Sequence, residues 1–127
     1  MASRGLFETR TVAVVGASPG HYFSDRLGEN LERGDFSLRT LFVHPRRKRI
    51  WGRKVYASLA SLPTRPDTVL FLVQGREVLQ GVKKMASLGI RQAIVLGSLD
   101  GRTGRSVAAA ARRGHIAMVG PESLGWM

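Results

Sequence analysis

The hydrophobic positions of this chain switch between a strand period and a helix period along its length. Val12-Ala13-Val14-Val15 is an unbroken apolar run rich in β-branched residues, the pattern of a strand buried on both faces of a parallel sheet. It stops at Gly16-Ala17-Ser18-Pro19-Gly20, small residues that permit a sharp turn and a close backbone approach to a ligand. Phe23, Leu27 and Leu31 then recur at helical spacing and predict a helix from about Tyr22 to Arg33, with Gly28 inside it and Gly34-Asp35 at its end. Leu6-Phe7, ahead of the first strand, is expected to pack under the sheet.

The same reading continues to the end of the chain. Leu38 to Val43 is a second strand, Asp67 to Val73 a third, Ile90 to Leu96 a fourth and His115 to Val119 a fifth. Ser58 to Pro63 predicts one short helical turn stopped by proline. Val78, Leu79, Val82, Met85 and Ala86 share one face of a helix that follows Gln74-Gly75 and is closed by Gly89. An alanine-rich helix follows the Asp100-Gly101-Arg102-Thr103-Gly104 stretch and ends at Gly114. The segment from His44 to Lys54 is expected to be a loop, because Pro45 and Gly52 interrupt any basic helix.

Strands alternating with helical segments predict an α/β fold, a Rossmann-like, doubly wound, five-stranded parallel sheet. Right-handed crossovers give the expected order 3-2-1-4-5. In such sheets ligands bind beyond the carboxyl ends of the strands, near the switch between strands one and four. Those ends are Gly16 to Gly20, His44 to Arg47, Gln74-Gly75 and Gly97-Ser98, and they are expected to converge. A strand, a glycine-bearing turn and a helix also point free backbone N–H groups at a phosphate.

Composition narrows this further. A chain of 127 residues is one domain, 1–127, large enough for a core of its own. The absence of cysteine removes disulfides, zinc–thiolate sites and a cysteine nucleophile, and suits a cytoplasmic protein. No apolar run approaches the ~20 residues that cross a membrane. His21, His44 and His115 lie far apart without clustered acids, so no metal site is expected. No pair of carboxylates suits general acid–base work either, and no catalytic residue is assigned. Twenty Lys and Arg against nine Asp and Glu give a net charge of +11, which favours a polyanionic partner.

The densest charge identifies which polyanion. A dinucleotide fold that binds NAD places an acid at the end of strand two, against the ribose hydroxyls. Here that position reads Val43-His44-Pro45-Arg46-Arg47, followed by Lys48-Arg49. Guanidinium in place of carboxylate selects a ribose bearing a phosphate. Both NADP, with a 2′-phosphate, and coenzyme A, with a 3′-phosphate, satisfy that. A nucleic-acid module would carry its charge along one face with interleaved aromatics, and only Trp51 fits, so nucleic acid is not expected.

Several motifs bear on the choice. Leu6-Phe7, Arg10 and Val12 to Ser18 resemble the opening of the CoA-binding domain of ADP-forming acyl-CoA synthetases, a domain shared with the succinyl-CoA synthetase α subunit and synthetase-like protein acetyltransferases. Val43-His44-Pro45 with Ile50-Trp51-Gly52 is similar to that family's Val-Asn-Pro and Ile-x-Gly. Tyr56-Ala57-Ser58-Leu59, Leu62-Pro63 and Pro66-Asp67 match its Tyr-x-Ser-Leu, Leu-Pro and Pro-Asp, and Gly120 to Gly125 resembles its closing Gly-Pro-Asn-Cys-Leu-Gly.

The resemblance implies coenzyme A or an acyl-CoA as the bound cofactor. It implies Ser18, Pro19, Gly20 and His21 at the phosphates, Arg46 or Arg47 on the nucleotide, and Leu96, Gly97 and Ser98 near the pantetheine arm. Gly16, Ala17, His44 and Gln74, at the same strand ends, complete the expected cofactor-binding set. It also implies a ligase or ATP-grasp domain downstream of or beside this one, reached through the closing segment 121–127. The family's phosphorylated histidine lies on such a following domain, so the isolated chain is not expected to complete an acyl-CoA ligation.

The chain departs from the family at Gln74 and Gly75 in place of Pro-Ala, at Leu99 where an aromatic belongs, and at Glu122-Ser123 in place of Asn-Cys. Two alternatives stand beside coenzyme binding: an NADP-binding domain, and a degenerate domain with an interaction or regulatory role.

Overall fold

The computed structural model describes residues 11–16, 39–50, 52–73, 75–96 and 99–119. The expected packing of Leu6-Phe7, the helix from Tyr22 to Arg33 and the closing segment 121–127 lie outside them.

The described residues form an α/β fold on a seven-stranded sheet. Its strands are β1 (Thr11–Val15), β2 (Arg39–Val43), β3 (Arg49–Ile50), β4 (Arg53–Tyr56), β5 (Thr68–Phe71), β6 (Gln92–Val95) and β7 (Ala117–Val119). Among these residues two helices occur, α1 (Arg76–Leu88) and α2 (Gly101–Arg113), with a 3-10 turn at Leu59–Ser61. The spatial order is β3-β4-β2-β1-β5-β6-β7. Every pairing is parallel except the antiparallel β3–β4 hairpin.

Two details of the expected topology need correcting. The strand expected outside strand two, Asp67 to Val73, instead pairs with β1, Ala13 facing Val69 and Val15 facing Phe71. The place beside β2 belongs to β4, with Phe42 opposite Val55 and Val43 opposite Tyr56. The expected loop from His44 to Lys54 therefore holds a hairpin. Ile50 pairs with Arg53 across a two-residue connection, and Gly52 at φ +73° supplies the left-handed backbone such a turn uses. With β4 counted as the third strand, the parallel sheet runs 3-2-1-4-5-6, so right-handed crossover logic holds on a corrected strand list.

Period-two alternation sorts the strands into two faces. Ala13, Val43, Val69, Phe71, Ala93, Val95 and Met118 point to the side where Val78, Val82 and Met85 of α1 and Val107, Ala110 and Ala111 of α2 close the larger core. Val14, Phe42, Ile50 and Val55 form a second cluster, joined by Val12, Leu70 and Leu72, on the opposite face. Thus the basic hairpin is anchored by its own apolar residues, since Ile50 and Val55 are buried while Arg49, Arg53 and Lys54 are exposed. Charged residues on an edge strand also discourage edge-to-edge pairing with other chains.

The helix ends follow local chemistry. Gly89 at φ +75° terminates α1 in the left-handed conformation, as a glycine past the last turn does. Asp100 caps α2 by accepting from Thr103 N at 2.7 Å and from the Thr103 hydroxyl at 3.1 Å. Among the described residues no helix is long and apolar enough to cross a membrane.

Helix α1 sits close to the sheet because Gly81 faces the Phe71 ring. A Cβ on Gly81 would lie 2.7 Å from Cζ of that fully buried ring and nearer still to Cε1. Gly81→Ala gains about 1 kcal/mol of helix propensity, but overpacking a caged core costs about 1–3 kcal/mol. The clash is expected to prevail, lowering stability in urea denaturation by up to about 2 kcal/mol. Adding Phe71→Leu should restore much of the loss by making room.

Candidate functional site

The carboxyl edge of the sheet is assembled by backbone hydrogen bonds that link one strand end to the next. Gly16 N donates to Val43 O at 3.0 Å, Leu72 N to Val15 O at 2.8 Å, and Leu96 N to Phe71 O at 3.0 Å. His44 N donates to Tyr56 O at 2.9 Å, joining β2 to β4. Gly16, His44 and Leu96, three of the predicted ligand residues, therefore stand on one edge. Leu96 is 40% exposed there, an apolar side chain left open at the end of an otherwise buried strand.

Gly16 is where β1 turns away. Its φ is +89°, and a Cβ would run into Cγ1 of Val73 and lie 3.4 Å from the Leu72 carbonyl carbon. Conformation and space both demand glycine at this point.

The end of β2 is built differently, around an imidazole. His44 Nδ1 accepts from Arg46 N at 3.1 Å and from Arg47 N at 3.2 Å. The side chain thereby closes a turn over Pro45, doing with a ring nitrogen what an Asn or Asp oxygen does in an Asx-turn. A nitrogen that accepts two N–H bonds carries no proton, so the tautomer assigned by this geometry bears hydrogen on Nε2.

Burial, then the Arg47 and Arg46 charges, push the His44 pKa below its ordinary value, while Glu77 pulls it the other way. The side chains of Arg46, Arg47 and Lys48 are exposed, and no carboxylate occurs between Val43 and Tyr56. Along β4, Lys54 Nζ lies 5.1 Å from the Tyr56 ring centre.

Helix α1 begins near this edge at Gly75, with no side-chain cap and with Glu77 in its first turn. The start of α2, by contrast, is occupied by its own Asp100 carboxylate, whose pKa is lowered first by the Thr103 backbone N–H and then by the Thr103 hydroxyl. A groove of about 170 Å³ lined by Leu59, Leu62, Pro66, Leu88 and Ile90, with Arg65 on it, lies at the opposite, amino edge of the sheet.

Of the other predicted ligand residues, Ala17, Ser18, Pro19, Gly20, His21, Gln74, Gly97 and Ser98 lie outside the described residues. Three contributors were not anticipated: the Tyr56 carbonyl that holds His44, the Val73 wall against Gly16, and Glu77 facing His44 from α1. Leu99, a departure from the expected motif, is buried in the larger core, so its side chain serves packing.

A parallel sheet with glycine turning the first strand end and cations beyond the second defines a Rossmann-like α/β class. Within that class the chain belongs to the CoA binding domain family, whose profile matches residues 10–127. It is 26% and 28% identical to the ADP-forming acetate–CoA ligases I and II of Archaeoglobus fulgidus, over 94% and 96% of its own length. The chain spans about a fifth of the length of these curated relatives, 18% and 19%.

Among solved structures it resembles the dinucleotide forming acetyl-coenzyme A synthetase 1 of Ca. Korarchaeum cryptofilum in its apo form. The TM-score is 0.77 at 24% identity, over 87% of this chain and 26% of that one. A more distant likeness is to the WlbA dehydrogenase of Bordetella pertussis in complex with NADH and UDP-GlcNAcA, with TM-score 0.64 and 11% identity over 88% of this chain and 36% of that one. Likenesses at these identities speak to the fold alone.

Gly16→Ala is expected to lower the melting temperature sharply. An L-residue in the left-handed region costs about 1–2 kcal/mol, and the contact with the stiff, β-branched Val73 adds about 1–3 kcal/mol. In a Val73→Ala background the steric part should be recovered and the backbone part retained. A Gly16→Ala melt equal to wild type would show that this strand end is not constrained as described.

Proposed function

We propose that this domain binds coenzyme A or an acyl-CoA at the carboxyl edge of the sheet. In this reading Arg46 and Arg47 meet the 3′-phosphate beyond β2, and the turn from Gly16 to His21 approaches the diphosphate. Its donors are the backbone N–H groups other than that of Gly16, which goes to Val43 O at 3.0 Å, and of Pro19, which has none. The pantetheine arm passes Leu96, Gly97 and Ser98, with Gln74 on the rim. The observation that carries the reading is the turn at the end of β2. Where an NAD site needs a carboxylate for the ribose hydroxyls, the chain offers two guanidinium groups on a turn fixed by His44.

Arginine pairs suit phosphate because their planar donors meet its oxygens two at a time. An NADP 2′-phosphate would suit such a pair equally well. Membership of the CoA binding domain family favours the 3′-phosphate. The acetate–CoA ligases it resembles are several times longer than this chain, which supports action beside a ligase domain. The acyl chemistry would then belong to that assembly.

Calorimetry with coenzyme A, dephospho-CoA, NADP and NAD tests this. Coenzyme A should bind and NAD should not. A hydrogen bond to a charged group contributes about 1.5–3 kcal/mol, so Arg46→Ala/Arg47→Ala should weaken coenzyme A roughly ten- to a hundred-fold. Exposure to solvent and added salt move the loss toward the lower figure. Dephospho-CoA, without the 3′-phosphate, should change little.

Lys48→Ala/Arg53→Ala is the charge-matched control, chosen because Arg49 Nη1 donates to Gly52 O at 3.2 Å within the hairpin. Equal losses for both ligands, or from both double variants, would reduce the turn to a diffuse positive field. NADP binding as tightly as coenzyme A would favour the NADP reading instead.

A further inference from the structure

We propose that His44 is the positioning residue of this site: as a neutral imidazole it holds the backbone turn that carries Arg46 and Arg47, and protonation opens that turn. The proposal rests on the coenzyme reading above for its ligand and on the ligand-free turn for its geometry.

Nδ1 accepts from both the Arg46 and the Arg47 N–H groups, at 3.1 and 3.2 Å. Both groups must give it up at once if that nitrogen gains a proton, because an N–H then faces two N–H donors. The His44 backbone cannot follow the ring away, since its own N–H is tied to Tyr56 O at 2.9 Å. One proton therefore breaks two bonds to one anchored residue. Both bonds come from the backbone of Arg46 and Arg47, the cations beyond β2.

The charges facing the ring are Arg46 and Arg47 from the turn and Glu77 from the first turn of α1. With burial, the two arginines favour the neutral ring, and Glu77 opposes them. Because the native imidazole holds a proton less tightly than an unfolded one, unfolded chains protonate first as pH falls below about 6.5. Stability from the turn is thus present above the ordinary histidine range and lost on acidification.

The test compares His44→Asn with His44→Ala. Asparagine supplies an acceptor oxygen at the same turn position and does not titrate, whereas alanine supplies none. In the ligand-free protein, the Arg46 and Arg47 amide resonances should move with the His44 imidazole titration, and in His44→Asn they should stay fixed. The preference for coenzyme A over dephospho-CoA should fall about ten-fold in His44→Ala at every pH, the effect of one lost charged contact.

In wild type that preference should fall on acidification more steeply than in His44→Asn. The comparison matters because a phosphate monoester itself titrates near pH 6, and it does so equally for both proteins. Amide resonances indifferent to His44 protonation, or a His44→Ala protein with undiminished preference, would overturn the proposal. Failure of coenzyme A to bind wild type would overturn the coenzyme reading, and the free-protein amide titration would still uphold or overturn the turn.

Discussion

The structure depends on parallel strands that end in step. Each strand of a parallel ladder must find its partner's backbone without a hairpin to hold the register, and here the register is fixed through to the last residue. Val15, Val43, Phe71 and Val95 lie opposite one another across four strands. The hydrogen bonds at Gly16, Leu72 and Leu96 carry the same ladder one residue further. That extra residue is where the sheet stops being core and becomes a site. A side chain at Gly16 would meet Val73 and push apart the strand ends the candidate site stands on.

Much of this was legible because the buried strands are apolar without alternation, as sheets covered on both faces require. β2, β5, β6 and β7 fall inside predicted runs, β1 begins one residue before its run, and α1 and α2 end at Gly89 and Gly114 as expected. The hairpin was hidden for a physical reason. In β3 and β4 the buried contribution comes from Ile50 and Val55 alone, while Arg49, Arg53 and Lys54 face solvent. A short edge strand with charged outer positions reads as a basic loop, although Gly52 between two short alternating stretches was the available signal. Missing β4 shifted the predicted strand order by one place and left the crossover rule itself intact.

The candidate site was legible as a set of positions and illegible as a mechanism. Strand ends are found by the breaks in hydrophobic runs, which is why Gly16, His44 and Leu96 were selected. What His44 does there depends on which ring nitrogen meets which amide, and no residue pattern states that. His44 stands where the resembling family has asparagine, and the structure explains how the exchange is tolerated: Nδ1 takes the acceptor role of an amide oxygen. The replacement keeps the geometry and adds a proton equilibrium.

That addition changes the electrostatics of the edge. Exposed arginines alone give a field that salt screens over about 10 Å and that any anion feels. Selectivity for a ribose phosphate needs the guanidinium planes held at a fixed angle, because bidentate contact is geometric as well as charged. Rotamer entropy opposes this, at up to about 2 kcal/mol for each long side chain. The backbone at Arg46 and Arg47 is the part the protein constrains, through two bonds to one ring. An exposed arginine fixed at its base loses less freedom on binding than one fixed nowhere. In the coenzyme reading proposed above, a strongly basic chain thus gains discrimination from a single neutral histidine, which adds no charge of its own to the site.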